Sequence, residues 1–129
     1  MPPLLVPSPS PYAPLIGFSA AVRAGDRVLV AGTTAVDAQG EVVGGDDAAA
    51  QAREALRKIE VALQAAGATL ADVVLTRIHL TDLSRWEEVG RVHGEVFGDV
   101  RPVATMLGSA GLLDPRMLVE IEAEAYVGP

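Results

Sequence analysis

The chain has 129 residues, half of them apolar and 21% charged, and its 17 acidic and 10 basic side chains give a formal charge of −7. This length and composition predict one folded domain over residues 1–129, and the negative charge disfavours nucleic acid or a membrane surface as a partner. The chain has no cysteine and only two histidines, which excludes a disulfide framework and a thiolate metal site. We therefore expect no metal and no cofactor.

The N-terminal stretch MPPLLVPSPSPYAP (1–14) holds six of the nine prolines. It lacks the basic start of a secretory signal peptide, and its composition predicts an extended arm. No apolar run approaches the ~18 residues needed to cross a bilayer. The expected location is the cytoplasm.

Two strands and a helix are predicted next. GFSAAVRAGDRVLVAGTTAVD (17–37) indicates two strands joined by a turn at 24–26. From Asp46 the apolar residues recur at helical spacing, with Asp46 or Asp47 as the N-cap and Gly67 as a left-handed residue after the helix. The buried stripe consists of Ala52, Ala55, Leu56, Ile59, Leu63 and Ala66.

The second half continues with a strand, a helix and two more strands. ADVVLTRIHLTD (71–82) predicts a strand with Val73, Leu75, Arg77 and His79 on one face. SRWE (84–87) fits a capping box, followed by a helix whose apolar stripe is Trp86, Val89, His93, Val96 and Phe97. The last strands are predicted at 102–109 and 117–127, and the second of them alternates Glu120, Glu122 and Glu124 with apolar residues.

The element order ββαβαββ predicts an α+β fold of two layers, a mixed sheet with both helices on one face. The other face, as judged from Val73 and Leu75, is too apolar to remain in water. This favours an oligomer closed over that face.

Three stretches carry a resemblance to a known family: VDAQGEVVGGDDAAAQAREAL, AAGATLADVVLTRIHLTDLSRWEEV and LVEIEAEA. Together they resemble the Rid (YjgF) family, also called L-PSP endoribonuclease-like, in order and spacing from about Gly17 to Val127. The resemblance implies a chorismate-mutase-like fold, a homotrimer, and small-molecule clefts between its subunits. It also implies hydrolysis of reactive enamines and imines to 2-keto acids and ammonia.

The family's site residues can be carried over position by position. The active-site arginine of the family falls on Thr105, and the cysteine that often follows it falls on Leu107. The family's tyrosine falls on Phe18 and its serine on Ala31, whereas its acid is retained as Glu120. The chain thus resembles a subgroup that lacks the active-site arginine.

These replacements leave alternatives for each residue. Glu120 either positions a water molecule for catalysis or pairs with a cation of another subunit. Thr105 either hydrogen-bonds a neutral ligand or only bridges strands. Arg77 and Arg101 are candidate substitute cations, the alternatives being an inter-subunit ion pair for Arg77 and a loop cation for Arg101.

Two functions follow from the resemblance and the replacements. One is a homotrimeric imine or enamine hydrolase with an altered substrate range. The other is a non-catalytic trimer of the same fold that binds a small molecule or regulates. RNA cleavage is the weakest interpretation, because the chain is acidic and offers a single lysine.

Overall fold

A computed structural model describes residues 2–129 and contains one six-stranded sheet with the strand order β1-β2-β3-β6-β4-β5. All neighbouring strands are antiparallel except β4 and β5, which are parallel. The sheet is therefore mixed, as predicted. Its strands are β1 (Leu4–Val6), β2 (Ala21–Ala24), β3 (Arg27–Thr33), β4 (Val73–Leu80), β5 (Val103–Gly108) and β6 (Val119–Tyr126).

Three helices accompany the sheet: α1 (Ala13–Ile16), α2 (Ala48–Ala65) and α3 (Trp86–Phe97). The two long helices, α2 and α3, pack on one face, which confirms the predicted two-layer α+β architecture. No helix within residues 2–129 has the length and apolar character to cross a membrane.

The long helix α2 forms where its periodicity predicts. Asp47 is the N-cap and accepts a hydrogen bond from the Ala50 amide at 3.0 Å. Gly67 follows the helix with φ of +83°, a conformation that a side chain would strain. The stripe of small residues on its inner face lets the helix lie close to the sheet, and these residues form the core with Leu56, Ile59 and Leu63.

The N-terminal arm, predicted to be extended over residues 1–14, is described from Pro2 onward and contains a strand and the start of a short helix; Met1 lies outside the described residues. Leu4–Val6 pairs with β2 as an edge strand, and residues from Ala13 onward form the short helix α1. A three-residue strand has too little alternation to be recognised in a sequence. It forms because β2 offers an unpaired edge whose backbone groups it can satisfy.

A β-bulge corrects the predicted faces of β4. The pairing of β4 with β6 shifts register between Val73 and Leu75, which inserts one extra residue into β4. The side chain of Val73 therefore lies on the opposite face from that of Leu75. Val73 is consequently buried among the helices at 2% exposure, whereas Val74 is 47% exposed. Arg77 and His79 lie on the helix-free face, as predicted.

The start of α3 also differs from its prediction. Asp82, rather than Ser84, accepts the capping hydrogen bond, and a short 3-10 turn at Leu83–Arg85 precedes the helix. Trp86 is 55% exposed and does not anchor the buried stripe, since it lies at the very first turn. His93 is packed, with its Nε2 2.9 Å from the Thr76 hydroxyl and its ring 4.7 Å from that of Phe97. Burial lowers the pKa of His93.

Candidate functional site

A cavity of about 1000 Å³ opens beside the end of β3. Its wall is formed by the arm (residues 6–12), α1, one side of α2 and the loop at 111–113, and β6 contributes Glu120 and Glu122. Most of the lining side chains are apolar, and a small number of polar groups project among them. Such a mixture is typical of a small-molecule site.

Glu120 is the polar group with the most distinctive environment. Its side chain forms no hydrogen bond or ion pair with any of residues 2–129, although the residue is half-buried. Burial raises the pKa of Glu120; the charge of His79 opposes this effect and that of Glu122 adds to it. A half-buried carboxyl group without a protein partner is free to accept a proton from water or to bind a ligand.

Two other predicted cleft residues lie in the same cavity. Phe18 and Ala31 both line it and present a ring and a methyl group. Thr33 lies next to them, but its hydroxyl donates to the carbonyl oxygen of Ala31 at 2.7 Å. The hydroxyl group of Thr33 is therefore already occupied and adds little polarity to the cavity wall around Glu120.

Thr105 and Leu107 lie elsewhere in the chain's own fold. Both are exposed on the edge strand β5, where Thr105 pairs with Arg77 and Leu107 with His79. Since β4 separates β5 from β6, the strand spacing places these residues about 10 Å from the strand of Glu120. One chain does not bring them into the cavity that Glu120 lines.

The two candidate substitute cations are both engaged. Arg77 donates to Glu122 across the strand pair, with 3.1 Å between Nη1 and Oε1. Arg101 has φ of +57° and donates from Nε to the carbonyl oxygen of Gly98 at 3.0 Å, which closes the end of α3. Arg101 lies outside the cavity and is a loop cation.

Glu122 joins two side chains of β4. Besides Arg77, it contacts His79, with 2.8 Å between Oε2 and Nε2. Glu124, the third acid of the row, pairs with Arg27 on β3. Glu122 and Glu124 are therefore both ion-paired, and Glu120 is the one acid of the row left without a cation partner among residues 2–129.

Lys58 is a cavity residue that the sequence did not single out. Its ammonium group donates to the carbonyl oxygens of Thr34 and Val36, at 2.7 and 2.8 Å. Burial is the main cause of its lowered pKa. The sequence signal was weak, because a lysine beside a buried stripe normally faces water. These two hydrogen bonds attach the segment that follows β3 to helix α2.

Arg116 holds the loop that forms another wall of the cavity. It forms ion pairs with Asp114 and with Glu41, both at 2.8 Å, and donates to the carbonyl oxygen of Gly40. Hydrogen bonds from Arg116 lower the pKa of Asp114 to about 2. The loop at 111–113 is thereby tethered to the loop around Glu41.

No group of three or more histidine or acidic side chains within residues 2–129 has the arrangement of a metal site. The chemistry available in the cavity is that of a carboxyl group in a largely apolar wall. It suits proton transfer to or from a small ligand.

Sequence comparison places this geometry among known proteins. The family model described as Endoribonuclease L-PSP matches residues 9–127. A protein of Streptomyces coelicolor is 42% identical over 124 residues, covering 95% of this chain and 91% of that protein. A RutC family protein of Pyrococcus horikoshii is 35% identical over 120 residues, covering 92% and 91%.

Solved structures give the same result. A crystal structure from Mycobacterium tuberculosis, described as a member of the highly conserved YjgF/YER057c/UK114 family, has 54% identity and a TM-score of 0.89 and covers 98% of this chain and 100% of that one. The YjgF gene product of Escherichia coli has 26% identity and a TM-score of 0.82, covering 95% and 98%. Both the sequence and the fold are thus shared over nearly the whole chain.

Proposed function

The chain belongs to the Endoribonuclease L-PSP (YjgF/Rid) family, and we propose that it is a homotrimeric hydrolase of small imines or enamines whose substrate range is altered at Thr105. The observation that carries the proposal is Glu120, a half-buried carboxyl group that lines the cavity and has no protein partner among residues 2–129. Imine hydrolysis needs a group that takes a proton from water and later returns it. A raised pKa makes the Glu120 carboxylate a stronger base for the first of these steps.

The reaction can be written around this one group. Water adds to the carbon of a protonated imine while the Glu120 carboxylate takes a proton from that water, which gives a neutral carbinolamine. Glu120 then returns the proton to the nitrogen. The C–N bond breaks with its electron pair going to nitrogen, and the hydroxyl proton passes to the released ammonia, leaving a carbonyl compound and ammonium.

The helix-free face of the sheet supports assembly of several copies. One row of residues in register runs across all six strands of this face, and five of its six members are apolar. The row consists of Leu5, Val22, Leu29, Glu124, Leu75 and Val103. Covering such a row removes apolar surface from water at a gain of about 25 cal/mol per Å².

Assembly also supplies a reason for the position of Thr105. Within one chain it lies two strands from β6, but it is exposed on the outermost strand and available to a neighbouring copy. In the trimer that we propose, Thr105 and Leu107 of one subunit complete the cleft that contains Glu120 of the next. The substrate then meets a hydroxyl group where relatives present a cation.

The assembly and the activity are tested separately. Light scattering during size-exclusion chromatography should give a mass of about 40 kDa, three times the 13.4 kDa of one chain; a mass of one chain at micromolar concentration contradicts the intersubunit cleft. For activity, freshly generated 2-aminoacrylate and neutral imines are incubated with the protein, and the carbonyl product is measured. The wild-type protein should accelerate its formation, and Glu120→Gln should abolish the acceleration.

A non-catalytic ligand-binding trimer is the second candidate. It is favoured by the commitment of Arg77 to Glu122, because this arginine is then not free to hold a substrate carboxylate. If the wild-type protein matches the uncatalysed rate on every imine, this function replaces hydrolysis. A ligand should then raise the melting temperature of the trimer with increasing concentration.

RNA cleavage is not proposed, although the family model's description names an endoribonuclease. The formal charge of −7 opposes contact with a phosphate backbone. His93 is packed between the sheet and α3, and His79 is bound to Glu122, so the two histidines do not form an acid–base pair with each other. A small uncharged or weakly charged ligand fits the cavity better than a nucleic acid does.

A further inference from the structure

His79 is the cross-strand partner of Glu120 on the helix-free face of the sheet. The two residues are directly opposite each other in the antiparallel pairing of β4 with β6. Side chains in such positions have their Cβ atoms about 5 Å apart. The His79 side chain is therefore attached close enough for its imidazole to approach the Glu120 carboxyl group.

The orientation of that imidazole is fixed by two further residues. Its Nε2 lies 2.8 Å from Glu122 Oε2, and the other oxygen of the same carboxylate accepts from Arg77 at 3.1 Å. Glu122 is thus held between a permanent cation and the histidine. A carboxylate bound to one ring nitrogen favours the tautomer that carries its proton on that nitrogen and fixes the orientation of the ring.

The groups around His79 are few. Glu120 and Glu122 face it from β6, Arg77 lies two residues away on its own strand, and β5 presents the uncharged side chains of Leu107 and Thr105. Two acids and one arginine therefore set its electrostatic surroundings within the chain. The Nδ1 atom has no hydrogen-bond partner among residues 2–129.

We propose that Arg77, Glu122 and His79 form a positioning chain that holds the imidazole of His79 beside Glu120, where its positive charge favours the ionised form of the Glu120 carboxyl group for proton transfer. The inference rests on the proposed function, because it gives His79 a role in the reaction assigned to Glu120. It follows from a conflict at that residue: burial favours the uncharged acid, which cannot take a proton from water. A neighbouring cation counteracts that preference, and His79 is the titratable residue in the facing position.

His79 is a positioning residue in this scheme and forms no bond with the substrate. Its protonated form favours the Glu120 carboxylate, and loss of its proton removes that effect. The pH at which Glu120 changes its charge therefore depends on the charge of His79. A purely structural histidine would leave the titration of Glu120 unchanged.

The test measures the ionisation of Glu120 directly. The NMR chemical shift of the Glu120 carboxyl carbon is followed from pH 3 to 9 in three proteins: the wild type, His79→Gln and His93→Gln. Each protein is used in the oligomeric state in which it is purified. Glutamine keeps a donor for Glu122 but carries no charge, so Glu120 should titrate about 0.5–1 pH unit higher in His79→Gln. The control His93→Gln makes the same change at the packed histidine and should leave the Glu120 midpoint where it is.

A further variant guards against a loss of folding. His79→Lys restores a cation at the same position, and the Glu120 midpoint should return to the wild-type value or below it. An unchanged midpoint in His79→Gln overturns the inference, as does an equal rise in His79→Gln and His79→Lys.

These outcomes are separate from those of the activity assay. A shifted Glu120 midpoint in a protein that hydrolyses no imine leaves the positioning chain intact and removes the hydrolase. Hydrolysis that depends on Glu120, combined with a Glu120 titration midpoint that is the same in the wild type and in His79→Gln, supports the hydrolase and overturns the positioning chain. Where both hold, the acid limb of kcat/KM against pH should move with the midpoint measured by NMR.

Discussion

The carboxyl group of Glu120 lies directly against the backbone of Gly32. A methyl group built on Gly32 would come 2.8 Å from Oε1 and 2.9 Å from Cδ of Glu120. Such an approach leaves no room for a side chain at position 32 unless the Glu120 side chain moves. It occurs where the pairing of β3 with β6 shifts register, between Val30 and Thr33. Glycine at this position thus allows Glu120 to rest over β3 at the cavity wall.

Gly32→Ala should displace the Glu120 side chain and impair function more than stability. The alanine methyl group meets the mobile end of a side chain rather than backbone, so we expect a stability change of at most about 1 kcal/mol. Imine hydrolysis, or ligand binding if the protein is not catalytic, should fall at least tenfold. Gly94→Ala is the control, since that exposed helical position has nothing within 4 Å and should gain about 0.5–1 kcal/mol in urea unfolding.

Glu120→Gln should stabilise the protein at neutral pH. Burial raises the pKa of Glu120 above its ordinary value of 4.5, so the folded state binds more protons than the unfolded state as pH rises through this range. The ionised side chain therefore costs stability above the raised pKa and costs nothing below the ordinary one. The melting temperature of Glu120→Gln should exceed that of the wild type at pH 8 and equal it at pH 4. A variant less stable at pH 8 would contradict the raised pKa, and Glu95→Gln on the exposed face of α3 is the control.

Thr105→Arg should restore activity toward substrates that carry a carboxylate. The residue is exposed on edge strand β5, so the fold tolerates a longer side chain. A charge-assisted pair with the substrate contributes about 1.5–3 kcal/mol, equal to a rise of roughly tenfold to a hundredfold in kcat/KM for 2-aminoacrylate. Thr105→Gln adds similar length without charge and should give no gain. Equal kinetics of the two variants would show that Thr105 lies outside the cleft.

Gln51→Ala should be strongly destabilising. This fully buried amide donates to the carbonyl oxygens of Gly45 and Arg116, at 2.7 and 2.9 Å, and accepts from the Leu118 amide at 2.8 Å. Its removal leaves three backbone groups without their side-chain partner, at a cost of about 3 kcal/mol in the free energy of unfolding. Gln64→Ala makes the same change at an exposed site of α2 and should stay within about 0.5 kcal/mol. Denaturant unfolding at pH 7 compares the two.

Arg116→Gln should raise the pKa of Asp114 from about 2 toward 3.8, its ordinary value. A lowered pKa means that the ionised Asp114 favours the folded state above pH 3.8, and that this contribution disappears as pH falls toward 2. An NMR titration of the Asp114 carboxyl carbon measures both values. Loss of the tether should also accelerate amide hydrogen exchange at residues 111–113, which line the cavity. Exchange at the wild-type rate would mean that other contacts hold this loop.

Hydrophobic periodicity carried most of the information about the fold. The stripe of α2 and the alternation of β6 were recognisable because each repeats over several turns or residue pairs. The two-layer α+β order was confirmed for the same reason. The short strand Leu4–Val6 and the bulge after Val73 were not predictable, since pairing with a neighbouring strand decides both.

The site divides in a similar way. The sequence by itself determined which residue types are present: an acid at Glu120, a hydroxyl at Thr105, and apolar side chains at Phe18 and Ala31. Only the tertiary structure decided their neighbours: it placed His79 opposite Glu120 and separated Thr105 from Glu120 by the strand that carries His79. The type of each residue can be read directly from the sequence. The contacts that tune a carboxyl group come from strands more than 40 residues apart, and the register of the sheet alone brings them together.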